Sequence, residues 1–522
     1  MTVVEVKMRI ALLSTSTFPA DQGLRTISSY LKSKGHKVNM MFLPLPEDYS
    51  MMYPEEVLAQ VEAQVKDAQL IGINAYASTN DRAIQLISLG KKLNIPVVWG
   101  GPHPTFFPEN CFKFCDLIAV GEAEDAFVEL ANNLEQKKDI TKIQNVWVRK
   151  DGKEFKNHVR APIHDLDILP HMDYDLQDHL ILENGLLIPF EERHIGGMIF
   201  FQTERGCPQA CSYCTNNILR ELYKGKSDLL RTHTVDYVID QLLSLKTRFP
   251  SISTIDVRDE TFLIRPMSWL KEFSLKYKEK VGLRMKCLTE PASISNEVIS
   301  DEKLSCLVDA GLTDIIVGIQ SGSDQLNFKV YNRFISAEQL LRSAKSLNKF
   351  KDKLTVMYDV ISCNPYESNE DVLATINLVR QLPKPFYLSV NNLVFFEGTP
   401  LYKQAMHDGL IKEDGDTASK LNYWDRWQHI KLKQKNMYLN LVLNLMRGPC
   451  TDRRYGLVPS FVLDRLVKES MVNFNEKHKA PVYTAGTMVQ SMDFMRENLA
   501  KPLYRKMPVS FKMWYDRTRY QA

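Results

Sequence analysis

Short β-rich runs alternate with amphipathic helical runs in two stretches of this chain, and no other feature narrows its fold so far. Up to about Glu135 the runs are Arg9 to Ser14, Leu24 to Lys34, Val38 to Leu43, Glu55 to Lys66, Leu70 to Ala75, Arg82 to Leu93, Val97 to Gly100, Leu117 to Val120 and Asp125 to Leu134. Alternation of this period implies βαβ crossovers and a parallel, doubly wound, Rossmann-like sheet. From Gly197 it resumes with longer helices. Strands are expected at Met198 to Gln202, Thr254 to Val257, Leu283 to Cys287, Asp314 to Gly318, Thr355 to Ile361 and Tyr387 to Phe396. Six such units predict a partial (β/α)6, TIM-like barrel, open on one side. In both architectures ligands gather at the carboxyl ends of the strands. Beyond about Asp414 the pattern turns helical, with Trp424 and Trp427, Met437 to Met446, Val458 to Met471 and Met488 to Leu499.

A chain of 522 residues exceeds one hydrophobic core. The expected division is an N-terminal α/β domain over 1–140, a linker with a hairpin over 141–195, the barrel over 196–410 and a mainly helical C-terminal domain over 411–522. The hairpin signal is Asp151-Gly152 between Val146 to Lys150 and Lys153 to Phe155. Net charge is only +3, yet 21 Lys and Arg against 12 Asp and Glu fall between Pro400 and Ala522. A solvated basic face on helices accounts for that excess; attraction of an anionic substrate is the second reading. Met8 to Leu13 reads as a first strand and not as a signal peptide, and no apolar run reaches the ~20 residues of a membrane span. Nine scattered cysteines suit a reducing cytoplasm better than a disulfide framework. Cys111 and Cys115, at i, i+4 with no partner pair, are expected to pack in a core.

Three cysteines stand at CxxxCxxC spacing in Thr203-Glu204-Arg205-Gly206-Cys207-Pro208-Gln209-Ala210-Cys211-Ser212-Tyr213-Cys214, directly after the first strand of the second stretch. Three is the informative count. Structural zinc usually takes four protein ligands, and no fourth Cys or His lies in this loop. An iron–sulfur cluster held by three thiolates keeps one iron open for another ligand. The bland alternative, three unrelated buried cysteines, leaves Arg205-Gly206 and the aromatic before the last cysteine unexplained.

With Tyr213 in place, the loop resembles the CxxxCx(aromatic)C signature of the radical S-adenosylmethionine (SAM) enzymes. The resemblance implies that Cys207, Cys211 and Cys214 are the catalytic ligands of a 4Fe-4S cluster whose free iron chelates SAM, with Tyr213 beside the adenine. Reductive cleavage of SAM then gives a 5′-deoxyadenosyl radical. Later strand ends match the same family: Arg258-Asp259-Glu260-Thr261-Phe262, Gly318-Ile319-Gln320-Ser321-Gly322-Ser323 with Arg333 beyond, Tyr358 to Glu367, and Glu397 to Tyr402. By resemblance, SAM is contacted by Asp259, Glu260, Gln320, Ser321, Ser323, Arg333 and Asp359, with Arg333 as a bidentate clamp on its carboxylate. Cys363, where many members carry glycine, is expected on a pocket wall.

The N-terminal strand ends lead into loops rich in Gly, Ser and Thr. A lone Gly-Gly usually makes only a turn. Gly100-Gly101-Pro102-His103 followed by Gly121-Glu122-Ala123-Glu124, however, resembles the cobalamin-binding domain that precedes the barrel in one large branch of the family. That implies corrin contacts from Ser14, Thr15, Ser78, Thr79, Gly100, Gly101, His103, Gly121 and Glu122. Many cobalamin proteins donate a histidine from DxHxxG; this chain has Ala20-Asp21-Gln22-Gly23 there, so a histidine ligand to cobalt is not expected.

The resemblance thus implies an enzyme using a 4Fe-4S cluster, SAM and cobalamin to methylate an unactivated carbon, or less often phosphorus. A cyclase or ring-contraction enzyme with the same cofactors is the alternative, and a non-catalytic carrier the third reading. The expected partners are a small-molecule or peptide substrate and an external one-electron reductant of flavodoxin or ferredoxin type. Nucleic acid is not expected, because no additional N-terminal cysteine triad or appended nucleic-acid module is visible.

Overall fold

The computed structural model describes residues 7–16, 19–45, 52–228, 230–411 and 436–477. Five parallel strands open it: β1 (Arg9–Ser14), β2 (Lys37–Phe42), β3 (Leu70–Asn74), β4 (Val97–Gly100) and β5 (Leu117–Ala119). Their spatial order is β5-β4-β3-β1-β2, so the winding reverses between β1 and β3 and a crevice opens there. Helices α1 (Gln22–Ser33), α2 (Glu55–Val65), α3 (Asn80–Lys92), α4 (Pro102–Phe106), α5 (Pro108–Cys111) and α6 (Glu124–Glu135) make the crossovers. The pleat sorts the side chains: Ala11, Leu13, Ile71 and Ile73 pack under α2 and α3, while Ile10, Leu12, Leu70 and Val98 pack under α1 and α6. Cys111 and Cys115 are buried in the first of these cores, as expected.

Segment 141–195 does more than link. Strands β6 (Val146–Lys150) and β7 (Lys153–Lys156) form a hairpin beside β5, while β8 (Leu180–Glu183) and β9 (Leu186–Pro189) form a second beside β2. Asp151 and Gly152 both have positive φ, the requirement of a two-residue primed turn. Each hairpin caps an edge of the parallel sheet that would otherwise offer unpaired backbone groups.

In the second half, β10 (Met198–Phe201) is followed by a short ribbon, β11 (Glu204–Gly206) and β12 (Leu230–Thr232). Then come β13 (Thr254–Val257), β14 (Arg284–Thr289), β15 (Leu312–Gln320), β16 (Thr355–Ser362) and β17 (Phe386–Asn392). The six strands β10-β13-β14-β15-β16-β17 run parallel in that order, as predicted. Around them lie α7 (Asn216–Leu222), α8 (Val235–Arg248), α9 (Met267–Lys276), α10 (Glu297–Ala310), α11 (Ala337–Asn348), α12 (Asn369–Gln381) and α13 (Pro400–His407). The stripe Val235, Val238, Ile239, Leu242 and Leu245 of α8 joins one continuous core with Ile255, Val257, Met285 and Val317. The barrel stays open at β10.

The C-terminal region departs from a purely helical expectation. After the helix Met437–Leu445, three short strands, β18 (Gly448–Cys450), β19 (Arg454–Tyr455) and β20 (Val458–Pro459), continue the barrel sheet antiparallel from β17. Trp424, Trp427, the run Met488 to Leu499 and part of the basic excess lie outside the described residues. Among the described residues, no helix is long and apolar enough to cross a membrane.

Candidate functional site

At the end of β10 the chain turns back as the β11–β12 ribbon, and a buried carboxylate fixes that turn. Asp259 accepts from Thr203 N (2.7 Å), Glu204 N (3.2 Å), Thr203 Oγ1 (2.5 Å) and Arg265 Nη2 (2.9 Å). Arg265 also pairs with Glu204 at 2.8 Å, all three side chains being buried. Burial, with Asp259 alongside, pushes the Glu204 carboxyl up to about 8. Asp259 is therefore spent on holding the loop's root and has no capacity left for SAM, contrary to the expectation from sequence.

The cysteine loop that follows is pinned through its own backbone. Arg220 of α7 donates to the carbonyls of Pro208 (2.6 Å) and Gln209 (3.0 Å), Asn332 to that of Ala210 (2.8 Å), and Asn217 to that of Cys211. Ser212 Oγ donates to the carbonyl of Val330, and its amide to that of Tyr331 at 2.9 Å. Tyr213 meets the edge of Tyr331 with ring centroids 5.1 Å apart, which docks the loop on an apolar cluster containing Leu326 and Leu401. Cys207, Cys211 and Cys214 are left half-buried and free. Burial raises the thiols of Cys207 to about 12 and of Cys214 to about 11, and nearby Glu260 adds to both. A positive centre is what would make thiolates of them. Among the described residues no three His, Cys, Asp or Glu side chains converge on one ion; a multi-iron cluster is held corner by corner and needs its thiolates further apart.

The other SAM candidates divide. Ser321 exchanges a hydrogen bond with Thr375 (3.1 Å), and Ser323 donates to Asp371; both are buried against α12. Arg333 gives Nη1 to the carbonyl of Ile319 (3.2 Å) and Nη2 to that of Gly318 (2.7 Å), supporting the positive φ of Gln320. It props the end of β15 with two of its five N–H groups. The expectations for Ser321 and Ser323 are corrected by the same physics: a buried polar group must find a partner, and here the partners are internal. Glu260 and Gln320 stand at strand ends and Asp359 within β16, and burial raises the carboxyls of Glu260 and Asp359. Cys363, at φ +57°, is held by its amide to Asn440 Oδ1 (2.8 Å) and does not line the cavity described next.

That cavity, of about 900 Å³, lies where the strand ends of the two sheets face each other. Ser78, Gly100, Gly101, His103 and Gly121 line it from one side and Cys207, Glu204 and Glu260 from the other. Gly101 has φ +97°, and a Cβ there would stand 1.8 Å from Asn74 Oδ1. From the crevice an apolar slot runs down past Leu12, Gly72, Val98, Ala119 and Phe127. Glycine-floored strand ends above an apolar slot fit a planar macrocycle with an appended aromatic base. Ser14, Thr15 and Thr79 stand beneath: Ser14 donates to Asp21 (2.8 Å), and Thr15 shares a 2.7 Å hydrogen bond with Thr79. All three are buried and build the crevice's support, not its surface.

Glu122 lines the same cavity and is also tied across it. Its carboxylate receives Arg205 Nη1 (2.9 Å) and Arg231 Nη1 (3.1 Å), and its amide donates to Tyr223 Oη (2.6 Å). Arg205 reaches Glu124 as well, at 2.7 Å. The loop after β5 is thereby clamped to the β11–β12 ribbon, with cysteine loop and crevice locked face to face. Sequence reading passed over Arg205, Arg231 and Glu124; an Arg one residue before Gly-Cys and a second acid in Gly-Glu-x-Glu were the available signals.

Comparison with known proteins follows this geometry. Residues 8–131 match the model of the B12 binding domain, and residues 202–379 that of the radical SAM superfamily. An uncharacterized methyltransferase of Pyrococcus horikoshii is 27% identical over 383 residues, 71% of this chain and 78% of that protein. The radical SAM methyltransferase TsrM of Kitasatospora setae, solved with tryptophan and a SAM analogue, superposes with a TM-score of 0.62 at 15% identity, over 78% of this chain and 77% of its own. The cobalamin-dependent SAM radical enzyme OxsB, solved with aqua-cobalamin and SAM, gives 0.68 at 15% identity, over 85% of this chain and 66% of its own. The two matched domains carry their cofactors with them: cobalamin for the first, a 4Fe-4S cluster and SAM for the second. The chain belongs to the radical SAM superfamily, in the branch that bears an N-terminal B12-binding domain.

Proposed function

We propose that this enzyme transfers a methyl group to an unactivated carbon, or to phosphorus, of a small-molecule or peptide substrate. The observation that carries the reading is the single cavity with Cys207 and Glu260 on one wall and Gly100 and Gly101 on the other, so that one substrate atom is reached from both cofactors without leaving it. When bound, the cluster with SAM supplies hydrogen-atom abstraction and cobalamin supplies the methyl group. In this assignment Cys207, Cys211 and Cys214 hold three corners of the cluster. Tyr213, Glu260, Gln320 and Asp359 face SAM, and Ser78, Gly100, Gly101, His103 and Gly121 face the corrin. The Arg205–Glu122–Arg231 clamp keeps the two sets at fixed separation and shields the cavity from water. A flavodoxin- or ferredoxin-type carrier in a reducing, cytoplasmic setting delivers the electron. The names of the P. horikoshii and K. setae relatives, both methyltransferases, agree with this assignment.

The test is anaerobic incubation of the reconstituted enzyme with methyl-deuterated SAM, a reductant and candidate metabolites, followed by mass spectrometry. The expected product gains a deuterated methyl group. Turnover that releases 5′-deoxyadenosine and alters the substrate without label would overturn methyl transfer in favour of cyclisation or rearrangement.

A further inference from the structure

Two amide side chains from different domains line the cavity, and each has a buried atom without a hydrogen-bond partner. Gln22 is the first residue of α1, and Gln241 lies on α8. Among the described residues, the donor Gln241 Nε2 finds no acceptor and the acceptor Gln22 Oε1 finds no donor. Both residues border the cavity, and Gln241 is only 3% exposed. It interrupts the apolar positions Val238, Ile239 and Leu242, where packing alone gives no reason for an amide. A buried polar atom left unpaired loses its hydration without replacement. Two of them on one cavity call for a ligand group that satisfies both.

That group must offer an acceptor to Gln241 and a donor to Gln22. With the two amides oriented as they stand, a carboxylate or phosphate, having acceptors only, would set its lone pairs against Gln22 Oε1, and an ammonium, having donors only, would face Gln241 Nε2. A primary carboxamide carries one of each. The corrin ring of cobalamin is fringed with neutral primary carboxamides. We propose that Gln22 and Gln241 grip one of these, its carbonyl accepting from Gln241 Nε2 and its amino group donating to Gln22 Oε1, so that cobalamin is held from both domains. This rests on the reading that cobalamin occupies the cavity.

The full chain, prepared without cobalamin, is titrated with hydroxocobalamin by absorbance. Gln241→Glu removes the donor at nearly constant shape and is expected to weaken binding about tenfold, the effect of one lost buried hydrogen bond. Gln22→Glu keeps an acceptor and stays within about threefold of wild type, whereas Gln22→Leu weakens binding as Gln241→Leu does. The double Leu variant loses less than the product of the single losses, because both residues serve one amide. Thermal melting of the cobalamin-free variants separates a folding defect from lost affinity. Equal affinity for wild type and Gln241→Glu overturns the proposal, as does a raised substrate KM at unchanged cobalamin affinity; multiplicative losses overturn the shared grip. Failure of wild type itself to take up hydroxocobalamin overturns the reading of the cavity along with it.

Discussion

Gly101 combines φ +97° with ψ −171°, a backbone region that belongs almost exclusively to glycine, and faces Asn74 where a Cβ would sit. Asn74 in turn donates to Asp21 at 2.5 Å, the residue that caps α1. Gly101→Ala therefore strains the backbone by about 1–3 kcal/mol and displaces the crevice wall; a titration with hydroxocobalamin should show markedly weakened binding. At the cysteine loop, replacing Cys207, Cys211 and Cys214 together by Ala should abolish the visible absorption of the reconstituted cluster and all 5′-deoxyadenosine release. Persistent reductive SAM cleavage in that variant would remove the ligand assignment. A third residue contributes to pH dependence alongside Glu204. Glu367 is buried with Oε2 unpaired among the described residues, and burial lifts its carboxyl from 4.5 to about 8. The folded state therefore keeps a proton that the unfolded chain releases above 4.5, so stability falls as pH rises from about 4.5 to about 8 and levels off beyond. Glu367→Gln should reduce that slope in urea unfolding measured across the window, Glu204 supplying a part that remains; an unchanged slope would assign it elsewhere.

At the scale of elements, the β11–β12 ribbon and the loop after β5 are held together by charges that neither could bury alone. Burial opposes the Arg205 charge, yet Glu124 and Glu122 hold its pKa above the ordinary value; burial likewise opposes Glu124, and Arg205 keeps it low. Removing one partner of such a set leaves an uncompensated buried charge, which costs about 3–5 kcal/mol. Arg205→Ala should lower stability on that scale and open the interdomain cleft to limited proteolysis. Arg205→Lys should recover little, since Arg205 meets Glu122 and Glu124 through two separate nitrogens, Nη1 and Nη2, a fork that a single ammonium nitrogen does not reproduce. Pairing Arg205→Ala with Glu124→Gln should restore part of the loss, and a double variant no better than the single would argue against the clamp. The two hairpins of 141–195 act at the same scale: the first was read from Asp151-Gly152 and the second was not expected, and that they would close both edges of the parallel sheet depended on β2 and β5 being edges at all.

For the whole molecule, methyl transfer from one cavity has a stoichiometric signature. One SAM recharges cobalamin and another is cleaved at the cluster, so each turnover should release one S-adenosylhomocysteine and one 5′-deoxyadenosine; quantifying both by liquid chromatography checks it, and a product ratio far from unity would exclude this coupling. How much of this was legible beforehand follows from the range of the forces involved. Strand–helix periodicity, the CxxxCxxC spacing and the glycine-rich strand ends are local patterns, set by backbone geometry within a few residues, and they determined the parallel strands of both sheets and the position of the cysteine loop, though not β8, β9 and β18 to β20, which extend them. Which polar residues at those strand ends are open to a ligand was decided only by tertiary structure. Asp259, Ser321 and Ser323 look like binding residues in one dimension; in three, their hydrogen-bonding capacity is taken up by Thr203, Arg265, Thr375 and Asp371, and Arg333 gives two of its donors to the carbonyls of β15. Glu122 keeps its place on the crevice wall and becomes a clamp as well, because Arg205 and Arg231, 83 and 109 positions away, arrive beside it. A buried polar group must be paired, and its partner is chosen by the packing of distant segments, which no local pattern encodes.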